Sequence, residues 1–174
     1  AIIVLGYFVV ESIMEPVRFN KEKDKISEVV IQKLEDIRAA EIAYKAVNGH
    51  YMADWDTLIT FIKENEFPII KEIPDPNDST MTIIIRDTLG YKSIVDSLYG
   101  HRPAFNIDHL KYVPIPKKHF ENEMFELDAG AIERGGLPVD VFECKVPYKV
   151  MLKGLDKQAI INLNKRVTEM NKYP

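Results

Sequence analysis

Four histidines, one cysteine and a few oxygen-rich clusters are the side chains of this 174-residue chain whose types could do chemistry. His50, His101, His109 and His119 stand apart, with no pair at i, i+4 and no cysteine at a zinc spacing, so zinc is not expected. Cys144 is alone, which excludes an intramolecular disulfide and any metal site built on a cysteine pair. Asp75, Asn77, Asp78 and Ser79 offer oxygens to a calcium ion. Arg86, however, stands where an EF-hand loop carries its bidentate Glu, and the run Ile73-Pro-Asp-Pro-Asn-Asp-Ser79 is accounted for as turn chemistry. A Gly-rich phosphate loop, a nucleophile elbow and an HExxH helix are all missing, and Gly135-Gly136 suits a hairpin turn. Tyr44, Tyr51, Trp55 and Phe61 fall at helical spacings and read as core rather than as a ligand box. No catalytic residue, metal, cofactor or small-molecule substrate is expected.

The balance of charge narrows the partners. With 23 basic and 27 acidic residues the formal charge is -4, which repels a phosphate backbone, and no basic run reverses this locally. Nucleic acid is not an expected partner.

The elements that must position any functional residue begin with an unusual one. Residues 1–10 read Ala-Ile-Ile-Val-Leu-Gly-Tyr-Phe-Val-Val, apolar on every face. Such a run is buried all round, in a core, in lipid or among neighbouring helices. It amounts to half of the roughly 20 residues that a bilayer crossing needs. Two readings are open: a buried core strand, or a helix lying in a membrane or a fibre core, as part of a longer apolar segment or after removal of a leader. The helical sequence that follows favours the second. The expected anchoring and assembly residues are Ile2, Ile3, Val4, Leu5, Phe8, Val9, Val10, Glu11 and Pro16. Glu11 either pairs with the amine of a neighbouring subunit or, with Glu15, marks the polar edge of the segment; the edge reading is the simpler. Pro16 lacks an N–H and disfavours helical geometry at Glu15, so a kink or break is expected there.

Beyond it, Ile26, Val30, Leu34, Ile37, Ala40, Tyr44 and Val47 recur at three- and four-residue steps. They form one apolar stripe of an amphipathic helix over 20–48, with Lys33, Glu35, Asp36, Arg38 and Lys45 mostly on the other faces. Asn48-Gly49 ends it. The expected division is therefore an apolar helix over 1–18 and a globular head over 19–174. In the head, Asp54 caps a short helix carrying Trp55, Leu58, Ile59 and Ile62. Thr82 to Arg86 reads as a strand, Tyr91 to Leu98 as strand or helix, and Tyr112 to Ile115 as a short strand bounded by prolines. A hairpin runs from Met124 to Ile132 and returns through Arg134-Gly135-Gly136 into Val139 to Cys144. Lys157 to Met170 reads as a helix with Ile160, Leu163 and Val167 on one side. The fold class is α+β: a long N-terminal helix on a small antiparallel sheet, with accessory helices.

Leu34-Glu-Asp-Ile-Arg-Ala-Ala-Glu-Ile-Ala-Tyr-Lys-Ala-Val-Asn-Gly-His-Tyr51, followed by a helix through Leu58, Ile59 and Ile62, resembles the end of the long helix in type IV pilins and type II secretion pseudopilins. Gly6 and Pro16 are similar to the helix-breaking residues of the pilin apolar segment. The resemblance covers about a third of the chain. It implies a non-enzymatic structural subunit of a bacterial envelope or extracellular filament, self-assembled through its N-terminal helix. The alternative is a single-pass anchored component, in the inner membrane, of an envelope protein complex. The remainder of the chain resembles uncharacterised bacterial envelope proteins of that anchored kind.

Overall fold

The computed structural model describes residues 2–74, 84–115 and 122–170. A single helix, α1 (Ile2–Asn48), takes up the first quarter of the chain. Pro16 does not end the helix: it lies inside α1, and the amphipathic helix expected over 20–48 is the later part of the same element. Proline removes one N–H and frees the carbonyl four residues earlier. Here that carbonyl belongs to Ser12, and both residues are exposed, so water can take the place of the lost donor. The helix stops as its sequence demands. Gly49 adopts φ 83° and its N–H donates to the Lys45 carbonyl at 2.8 Å, the left-handed glycine that closes a helix.

After α1 come α2 (Trp55–Glu64), the strands β1 (Glu66–Pro74) and β2 (Ile84–Ser93), α3 (Ile94–Tyr99) and a 3-10 turn (Ile107–His109). The strands β3 (Glu126–Arg134) and β4 (Leu137–Lys145), α4 (Tyr148–Met151) and α5 (Lys157–Met170) complete the order. The architecture is α+β, but the strands make two separate two-stranded sheets, β1–β2 and β3–β4, rather than one small sheet. β1 and β2 are antiparallel, with a register irregularity between Ile69 and Ile70. At the turn between β3 and β4, Gly135 and Gly136 have φ 62° and 79°, the paired positive values that a two-residue hairpin of type I′ requires. The stretch Tyr112 to Ile115 forms only an isolated antiparallel bridge, Tyr112 to Met124. Tyr91 to Leu98 divides: β2 ends at Ser93, whose side chain caps α3 by accepting from the Asp96 N–H.

The chain forms two compact units, Ala1–Ile37 with Lys111–Leu127 and Glu143–Pro174, and Arg38–Leu110 with Asp128–Phe142. The core of the first contains Val30, Ile37, Val113, Phe125, Met151, Leu152 and Ile160. That of the second contains Ala40, Ala43 and Tyr44 from the end of α1, and Leu58, Ile59, Phe61 and Ile62 from α2, with Ile94, Tyr99, Ile107 and Leu110. Here the Tyr44 ring meets Phe61 edge-on at 4.8 Å between centroids. Asp54 caps α2 as expected, accepting from the Thr57 N–H and hydroxyl at 2.7 Å each. Lys45 reaches Asp140 of β4 at 3.3 Å and lies 4.4 Å over the Tyr51 ring, which itself packs on Phe142. Along the expected stripe Val30, Ile37, Ala40 and Tyr44 are buried, but Val47 is half exposed. Asp36, expected on a polar face, is buried.

Candidate assembly face

The first turns of α1 carry the residues that the sequence singles out. Ile2, Ile3, Val4, Leu5, Phe8, Val9, Val10, Glu11 and Pro16 all lie in this one helix. Its visible side chains are arranged with a pattern. Tyr7, Val10, Met14 and Val17 follow one another at steps of three, four and three, which sets them on one side of the helix, with Ile13 at the margin. All five are solvent-exposed, Val10 by 58% and Ile13 by 61%. This is the 3.5-residue spacing found along the seams of coiled coils.

Glu11 flanks the seam and is satisfied within its own chain. Arg18 Nη1 donates to Glu11 Oε1 at 2.8 Å and Nη2 to Oε2 at 3.4 Å, a two-pronged pair two turns apart. The pair is exposed and contributes under about 1 kcal/mol to stability. None of α1 is long and apolar enough to cross a membrane, and the same holds for every helix among the described residues.

Two features were missed from sequence. Glu41, in the middle of the pilin-like stretch, is 0% exposed. Its Oε2 accepts the Met52 N–H at 3.0 Å, tying the end of α1 to the segment before α2, while Oε1 has no hydrogen-bond partner among the described residues. A signal was available: Glu41 follows Ile37 by four residues and precedes Tyr44 by three, which places it on the apolar stripe itself. Burial pushes its carboxyl above the ordinary 4.5, and the Met52 hydrogen bond only partly opposes that. The folded chain therefore holds this proton to higher pH than the unfolded chain does. The resulting stability is complete below pH 4.5 and falls as pH rises through the folded value. Glu41→Gln should remove that slope, each unit of upward displacement being worth about 1.4 kcal/mol. In urea unfolding at a series of pH values, the stability of Glu41→Gln relative to wild type should rise steadily above pH 4.5. A difference that stays flat with pH would show Glu41 to be an ordinary carboxylate.

The second missed feature is a cleft of about 820 Å³ beside α4 and α5, lined by lysines and by Ile160 and Ile161. As for metals, no three His, Cys, Asp or Glu side chains converge among the described residues. Asp75, Asn77, Asp78, Ser79 and His119 lie outside those residues.

The chain matches no family model, no curated protein and no solved structure.

Proposed function

We propose that this chain is a non-enzymatic structural subunit of a pilin-like filament of the bacterial envelope, assembled through the first turns of α1. One observation carries the reading: Tyr7, Val10, Met14 and Val17 hold an apolar seam open to solvent on a helix whose later part is buried in its own chain. A seam of that spacing buries itself against a like helix of another copy, and copies joined head to tail extend without closing. The resemblance of residues 34–62 to the pilin helix and its following loop supports the same architecture. The partner is then the chain itself. No metal or cofactor is needed, since apolar contact drives the association.

Removal of residues 1–25 tests this. Among the described side chains the buried positions of α1 begin at Val30, so the shortened chain keeps them and should remain folded, monomeric and free of fibres. The full chain should give fibres of regular width in negative stain. Sedimentation and circular dichroism report on the shortened chain. Full-length protein seen only as detergent-dispersed particles bound to other envelope proteins would replace the filament with a single-pass anchored component.

A further inference from the structure

The cleft beside α4 and α5 has a composition unlike the rest of this acidic chain. Lys149, Lys153 and Lys157 line it at four-residue intervals, against Glu123 as the one carboxylate among the described residues, while Ile160 and Ile161 supply apolar wall. Gly154, at φ 100°, makes the turn that lets the chain leave α4 and re-enter as α5 around one opening. Lys153 reaches Glu123 at 3.7 Å. Lys149 and Lys157 are exposed and make no ion pair among the described residues. Ile161 is 57% exposed, so a large apolar side chain lies uncovered at the mouth.

We propose that this cleft binds a single-chain lipid anion, a long-chain fatty carboxylate, with its tail along Ile160 and Ile161 and its head at Lys149 and Lys157. Charge complementarity selects an anion: a net positive lining in a chain of charge -4 is a local reversal of the prevailing field. The apolar wall selects a tail, because a bare inorganic anion would leave Ile161 in water. Size selects a small ligand over a protein. At about 820 Å³ the cleft falls in the range of small-molecule pockets, roughly 300–1,000 Å³. A protein partner typically covers about 800 Å² of broad surface instead.

The test is calorimetric titration of the full chain with dodecanoate below its micelle concentration, with dodecan-1-ol and inorganic phosphate as the tail-only and head-only probes. Dodecanoate should bind saturably at one site, the alcohol more weakly, and phosphate not measurably. Lys149→Glu and Lys157→Glu should each weaken dodecanoate roughly fivefold, the size of an exposed charge pair. Ile161→Asp should weaken it on the order of thirtyfold, as loss of a buried isoleucine contact does. Circular dichroism should show all three variants folded, since each residue replaced is exposed in the chain alone. Should Ile161→Asp unfold, the two lysine variants decide the matter. Undiminished binding in the variants places the lipid elsewhere, on the α1 seam for instance, and overturns the proposal. Equal affinity for the alcohol, or no binding of dodecanoate where an acidic amphipathic peptide does bind, overturns it as well.

Discussion

Val10→Asp should abolish filament formation and leave the isolated chain as stable as before. Val10 is 58% exposed in the single chain, so a carboxylate there is hydrated and the fold changes by no more than about 0.5 kcal/mol. In a bundle sealed along Tyr7, Val10, Met14 and Val17, the same carboxylate loses its water at every subunit. Burying it without a partner costs several kcal/mol. A penalty of about 4 kcal/mol is close to a thousandfold in each association step, and repetition along a fibre multiplies the effect. Arg18 gives no rescue, because both its prongs are already engaged by Glu11. Val10→Ile, which keeps the seam apolar, serves as the control and should assemble normally. Negative-stain images and sedimentation velocity read the outcome; regular fibres from Val10→Asp would sink the assembly reading while leaving the fold untouched.

Leu58→Ala should destabilise the chain by about 3–4 kcal/mol, the usual cost of deleting a fully buried leucine and leaving a cavity. Leu58 is 0% exposed and lies in the same core as Ile62, Phe61 and Tyr44. Domains of this kind have total stabilities of only about 5–15 kcal/mol, so such a loss is a large part of the whole. Val47→Ala on α1 should change stability by less than about 0.5 kcal/mol, because Val47 is already half in water. Periodicity alone ranks the two sites alike. Urea midpoints for the pair separate what burial contributes from what pattern suggests, and equal losses would contradict the core assignment.

That contrast shows where the sequence was informative. Elements announced by local chemistry were legible: Asp54 as a cap, Gly49 as a stop, the two glycines between β3 and β4, and α5 over Lys157–Met170 with Ile160 inward. Each depends on a residue's own backbone preference or on a period of one helix. β1 was not legible. Phe67 to Ile73 carries no buried alternation, since the strand is exposed or half-exposed along both faces, and Pro68 argues against a strand. Pro16 does not end α1, and the carbonyl it frees belongs to the exposed Ser12, where water can take the place of the lost donor. Asp36 was misplaced and Glu41 overlooked for a related reason. Type alone assigns a carboxylate to the surface, whereas its burial depends on contacts made by distant parts of the chain. Residues 1–10 were legible as apolar, but that exposed apolar side chains continue through Ile13, Met14 and Val17 emerged only with the structure. The lysine-lined cleft is assembled by a turn between two helices, and the four-residue spacing of Lys149, Lys153 and Lys157 does not by itself announce it.

The ribbon of β1 and β2 has one more consequence. Each strand has a single neighbour among the described residues, so the outer margin of each presents backbone donors and acceptors with nothing opposite. Ile69, Ile70, Leu89 and Tyr91 are exposed on it as well, the composition from which strand-upon-strand aggregates grow. What restrains such growth is written into the same few residues. Pro68 offers no N–H to an incoming strand, the irregularity after Ile69 spoils a straight template, and the Arg86–Glu72 pair at 2.9 Å sets charge across the ribbon. A chain that concentrates many copies side by side would need that protection most, since crowding brings these margins together whether or not they were meant to meet.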